Sequence, residues 1–170
     1  MEKYILGTNA AAILGLLQSG KVRNPKEIAA TSYSPELRAA FEANGGTLAC
    51  KLVSAVLLDE QARQATSNAG TKYANGEYSV KFNVTFECPV KEGDTIVTKS
   101  FTQKMHACDA LVWQASGKDE IAVSATYGKI DRLAGDERPP IEFLVFKASN
   151  RLTETETLAE MQKLMALQPA

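Results

Sequence analysis

Only one histidine, His106, stands in this chain of 170 residues. That excludes a Ser-His-Asp arrangement built on any other imidazole, and it excludes a metal held by several histidines. Cysteine is scarce too. Cys50, Cys88 and Cys108 are an odd number with no C-x-x-C pair, so zinc-knuckle and dithiol redox motifs are not supported and no metal site is expected. Free thiols fit an intracellular, cytoplasmic protein. Charge of one sign is missing: 19 Lys and Arg meet 20 Asp and Glu, a formal net charge of −1. That counts mildly against a highly basic nucleic-acid coat, while a local basic patch stays open. No long apolar run occurs, because Gly7, Thr8 and Asn9 interrupt the first one. We expect neither a signal peptide nor a membrane anchor. Repeats and low-complexity tracts are absent as well.

What remains has ordinary globular composition, with 45% hydrophobic and 23% charged residues. The first third reads as helices. "NAAAILGLLQSG" closes on Gly20, "NPKEIAA" opens with an Asn24 cap and Pro25, and "SPELRAAFEANGG" repeats the pattern with Ser34, Pro35 and a Gly45-Gly46 stop. "TLACKLVSAVLLDEQARQAT" then carries one strongly polar side chain, Lys51, before Leu58, which predicts a long buried helix over 47–66. "SNAGTKYANG", 67–76, is the clearest boundary.

From Tyr78 the period is two. Val80, Phe82, Val84 and Phe86 share one face and Ser79, Lys81, Asn83 and Thr85 the other. "CPVKEGD" turns the chain into a second strand with Thr98, Ser100, Thr102, Lys104 and His106 on one side. On that polar side His106 reads as a solvated surface residue. "ALVWQA" with "EIAVSATYGKI" reads as a further strand pair, "IEFLVFKA" as a last, more buried strand. The tail offers two overlapping capping boxes, Thr153 to Glu156 and Thr157 to Glu160, ahead of a stripe of Leu158, Met161, Leu164 and Met165. The class is α+β: N-terminal helices over 1–46, then within 47–170 a long buried helix, an antiparallel sheet of about five strands and a C-terminal amphipathic helix. The two parts can also form one compact domain.

Three constellations carry candidate chemistry. Gly15 to Val22 has the spacing of a phosphate loop, but Val22 stands where the motif needs Ser or Thr, and the stretch ends a helix. Residues 10–46 resemble a helix-turn-helix unit, with "PKEIAA" before a turn and "SPELRAAFE" in the place of the recognition helix; Tyr33 stands where that family usually has glycine. The resemblance implies DNA contact through Arg23, Lys26 and Arg38. Capped helices packed in a bundle explain the same letters. Residues 47–131 are similar to the hot-dog fold of acyl-thioester enzymes, in which a sheet wraps a central helix and a Pro-Val-x-x-Gly-Asp turn joins two strands. Pro89-Val90 and Gly93-Asp94 match that turn, and the resemblance implies a helix carboxylate, Asp59 or Glu60, as the catalytic group.

The expectation we carry forward is a non-enzymatic binding module without cofactor or catalytic residue. Its partner is nucleic acid, contacted by Lys81, Lys99, Lys104 and Lys129 on a polar sheet face, together with Arg23, Lys26 and Arg38. Self-association into a homo-oligomer, through sheet edges or the terminal helix, is the structural alternative, and a hot-dog thioesterase or hydratase relative the enzymatic one.

Overall fold

A computed structural model describes residues 3–8, 10–20, 22, 33–58, 80–131 and 133–167. The elements in chain order are β1 (Tyr4–Ile5), α1 (Ala10–Gln18), α2 (Pro35–Glu42), β2 (Thr47–Leu57), β3 (Lys81–Glu92), β4 (Thr95–His106), α3 (Ala107–Ala110), α4 (Val112–Ser116), β5 (Glu120–Ile130), β6 (Ile141–Ala148) and α5 (Glu154–Leu167). The sheet runs β4-β3-β2-β5-β6, antiparallel throughout, with the short β1 added in parallel beside β2. The α+β class and the antiparallel sheet are as the sequence leads one to expect.

One element differs. The segment read as a long buried helix is the central strand β2 over Thr47–Leu57. Its side chains alternate between exposed and buried, but the exposed ones include Ala49, Val53 and Val56, so the alternation does not show as polarity. A register shift between Leu52 and Ser54 also breaks the period of two. An unbroken apolar run of this length is ambiguous between strand and helix. The predicted second half of that helix, 59–66, the boundary at 67–76 and the predicted helix over 25–30 lie outside the described residues. "ALVWQA" is also not a strand: it forms α3 and α4, ending on Gly117 in the left-handed region at φ 69°. Residues 107–113 are all buried, and a short run buried on all sides has no periodicity to read.

Other local grammar holds. Ser34 caps α2 by accepting from the Leu37 N–H at 3.2 Å, and the Gly46 N–H closes the helix on the Phe41 carbonyl at 2.7 Å. The β3–β4 hairpin turns over Gly93-Asp94, with Gly93 at φ 59° and Asp94 at negative φ. That is the type II′ geometry that suits the twist of two paired strands. At α5 the first capping box forms in full, with Thr153 N–H donating to Glu156 at 3.0 Å and Glu156 N–H to the Thr153 hydroxyl at 3.2 Å. The second does not, because Thr157 and Glu160 face inward and are buried.

The helices lie on one face of the sheet. Phe82, Val84, Phe86, Cys88 and Val90 of β3 point to that face. The sheet curls so far that β4 and β6, at its two ends, approach each other. Phe86 thereby meets both Phe101 of β4 and Phe146 of β6, with ring centroids 6.4 and 5.9 Å away, and Phe41 of α2 closes on Phe146 at 5.8 Å. Trp113 fills the core and donates its indole N–H to the Cys50 carbonyl at 3.0 Å. Asp109, fully buried, receives Arg151 Nε at 3.0 Å and Nη2 at 2.9 Å, and the Ala148 N–H at 3.1 Å. This pins the turn between β6 and α5 onto α3.

Candidate functional site

The face of the sheet away from the helices is built by register. Across β2, β3 and β4 it sets Lys51 beside Glu87 and Ser100, Ser54 beside Thr85 and Thr102, and Val56 beside Asn83 and Lys104. On the far side of β2, Thr47 pairs with Ser124 and Ser124 with Lys147, while Lys51 pairs with Glu120. All of these side chains are exposed or half-buried. The Thr85 and Thr102 hydroxyls bond each other at 2.8 Å, which ties the hairpin across its polar face. Lysines at 51, 81, 104 and 147 thus share this face with the carboxylates of Glu87 and Glu120. Lys104 and Lys81 are diagonal neighbours, a relation that separates side-chain origins by about 7–8 Å. Among the described residues Lys104 has no ion-pair partner.

The other expected contacts are placed differently. Lys99 points to the helix-covered face, opposite Cys88, and is ion-paired with Glu36 of α2 at 2.8 Å and with Glu92. Those two carboxylates push its ammonium up to about 12. Lys129 is exposed near the end of β5, opposite Glu142 and on the same side of the sheet as Tyr127. Arg38 stacks 3.6 Å above the Tyr127 ring and donates to Glu42 and to the Tyr33 hydroxyl at 2.8 and 3.2 Å. Tyr127 in turn donates to Glu142 at 2.6 Å and meets Tyr33 edge-on. Arg23 and Lys26 lie outside the described residues. The structure therefore gathers Lys81 and Lys104 on the polar face and leaves Lys99, Lys129 and Arg38 off it.

The other constellations read from the sequence are placed as follows. The segment that a hot-dog sheet would wrap is itself a strand of the sheet, and Asp59 and Glu60 lie outside the described residues. His106 is not a solvated surface residue: it is 5% exposed, because β4 ends there and the chain turns directly into buried α3. In the helix-turn-helix stretch, α2 lays Leu37, Ala40 and Phe41 on the sheet rather than projecting as a free reading helix. The phosphate-loop stretch contains the last turn of α1, with Gly20 at φ 77° ending it. Among the described residues, no cluster of three or more His, Cys, Asp or Glu has metal-holding geometry, and no helix is long and apolar enough to cross a membrane. No family model, no curated protein and no solved structure matches this chain.

Lys51 and Lys147 are the additions that sequence reasoning missed. Lys51 was assigned to a helix, and Lys147 belongs to a strand read only as buried. The signal for Lys147 is its place between Phe146 and Ala148, which are buried on the helix side while Lys147 is exposed on the other.

Proposed function

We propose that this chain is a nucleic-acid-binding module that contacts the phosphate backbone through the open face of β2, β3 and β4. The observation that carries the reading is the setting of Lys104: diagonal to Lys81, opposite Asn83, flanked by the Thr85 and Thr102 hydroxyls, and without an ion-pair partner among the described residues. An ammonium without such a partner is available to displace counterions from phosphate, and neighbouring hydroxyl and amide groups donate to phosphate oxygens without reading sequence. Among the described residues, the two aromatic groups that the sequence offers for stacking bases, Trp113 and Tyr127, are elsewhere. Trp113 is fully buried, and Tyr127 is already covered by Arg38 on the other side of the sheet. Binding led by the backbone, with little base preference, follows from that distribution.

Self-association through α5 has less support, since Met161 and Leu164 are fully buried in the protein's own core.

The test is fluorescence anisotropy with labelled single- and double-stranded oligonucleotides at about 50 and 200 mM salt, the range in which phosphate contacts reveal themselves. Each contact weakens binding about threefold over that interval. Lys81→Ala/Lys104→Ala lowers the slope of log affinity against log salt by about 1.4–1.8, and Lys99→Ala leaves it unchanged. No binding at the lower salt refutes the proposal.

A further inference from the structure

Cys50 and Cys88 face each other inside the fold. The register of β2 on β3 pairs Lys51 with Glu87 and Leu52 with Phe86, so continuing it one step sets Cys50 opposite Cys88. Both side chains lie on the helix-covered face, at 0% and 1% exposure, and both thiols are free. In this half of β2 the even-numbered residues turn their peptide groups toward β5: the Leu52 N–H donates to the Asp119 carbonyl at 3.1 Å, and the Gly46 carbonyl accepts from Ala125 at 3.0 Å. Toward β3, Cys50 is therefore at a non-hydrogen-bonded position. Opposed residues at such positions have Cα atoms about 4.5 Å apart, inside the span of about 4.4–6.8 Å that a disulfide bridges.

We infer that Cys50 and Cys88 form a redox pair, which a peroxide closes into a disulfide across β2 and β3 without rearranging the sheet. Pro89 and Val90, directly after Cys88, line a cleft of about 340 Å³ between α2 and the β3–β4 hairpin; Cys88 itself lies behind that lining, and the cleft is the entry that the reaction requires for a small oxidant. The two thiols have unequal roles. Contact with Cys88, reinforced by burial, pushes the Cys50 thiol far up, and the same contact lowers Cys88. Cys88 is also the thiol whose chain neighbours Pro89 and Val90 line the cleft, so the attack is assigned to its sulfur. Its thiolate attacks a peroxide oxygen, the O–O bond breaks, and a sulfenic acid and hydroxide result. The Cys50 sulfur then attacks that sulfur. The S–S bond forms, the S–O bond breaks, and the departing hydroxide takes the Cys50 proton as water. Two thiols lose two electrons and two protons in all, and one hydrogen peroxide becomes two waters. The pair is independent of the nucleic-acid reading, since it lies on the opposite face of the same strands.

The experiment exposes the folded full chain to hydrogen peroxide, alkylates the remaining thiols under denaturing conditions, and reads intact mass and digest. The expected product takes up one alkyl group, at Cys108, yields a linked Cys50–Cys88 peptide, and regains three alkylatable thiols after reduction. Cys50→Ser leaves Cys88 as a sulfenic acid captured by dimedone, and Cys108→Ser leaves the Cys50–Cys88 link intact. A linked peptide containing Cys108 overturns the inference. So does retention of all three thiols in the folded chain under peroxide that oxidises the same chain in urea.

Discussion

Removing Arg151 tests how deeply Asp109 is committed to its partners. The carboxylate is fully buried and receives two N–H groups of the Arg151 guanidinium, the Ala148 N–H and, more weakly, the Cys108 thiol. Arg151→Ala deletes the countercharge and leaves a buried anion facing one backbone N–H and a weak thiol donor. Breaking a buried pair in this way costs about 3–5 kcal/mol, a large part of the roughly 5–15 kcal/mol that holds a domain of this kind together. Asp109→Ala should cost less, because the Arg151 side chain is 25% exposed and can turn to water. What it leaves behind is chiefly the unsatisfied Ala148 N–H, about 1–3 kcal/mol. Replacing both together, as Asp109→Leu/Arg151→Met, should recover most of the loss, since an apolar pair of similar volume carries no desolvation cost. Urea unfolding read through Trp113 gives the measurement cleanly, because it is the single tryptophan and is fully buried. The midpoint shifts while the denaturant slope stays constant. If Arg151→Ala costs under about 1 kcal/mol, or costs less than Asp109→Ala, the assignment of a charge trapped in the core is refuted.

Three further outcomes follow from local geometry. The Thr153 N–H bond holds the Glu156 carboxyl below its ordinary value of 4.5, so its stabilisation is full above that pH and disappears as pH falls through the lowered value; Glu156→Ala should lower the unfolding temperature at neutral pH and leave it nearly unchanged in acid, by thermal unfolding across pH 3 to 7. A Cβ on Gly128 would come within 2.4 Å of the Phe143 ring, so Gly128→Ala should displace that ring from the sheet and cost about 1–3 kcal/mol, read by urea unfolding and by a change in the Phe143 ring resonances. Burial, with Asp109 beside it, pushes the Cys108 thiol up to about 12, so iodoacetamide at pH 8 should leave it unmodified in the folded chain and label it in urea.

The parts of this fold that can be read from letters are those whose polarity follows their geometry. Along Lys81–Phe86 the polar side chains are the outward ones, and Thr98, Ser100, Thr102 and Lys104 continue that face on β4, so the hairpin and its lysine-bearing face show directly. The turn at Gly93-Asp94 and the caps at Ser34 and Thr153 are equally local. β2 hides because its outward residues, Ala49, Val53 and Val56, are apolar and its bulge shifts the phase. With β2 hidden, Lys51 could not be placed on the face it shares with Lys104. Lys99 misleads for a different reason: its partner Glu36 comes from a helix distant in sequence, and no pattern within the strand announces it. The Cys50–Cys88 juxtaposition was closed to inspection for the same cause as Lys51, since it exists only once β2 is laid beside β3.

The place of β2 in the sheet also sets the order in which the chain can assemble. Its neighbours are β1, which precedes it and reaches only Ala55 and Val56, β3, which follows it, and β5, which pairs Ser124 with Thr47 only after the whole β3–β4 hairpin and two short helices have been made. The hairpin closes through a two-residue turn on a timescale of about 1–10 μs, whereas the β2–β5 ladder must wait for a long loop to close. During synthesis, the edge of β2 over residues 47–51, which β1 does not reach, therefore stays open until residues beyond 120 emerge. In that interval the unpaired peptide groups of that stretch are what a chaperone, or another unfinished chain, meets first.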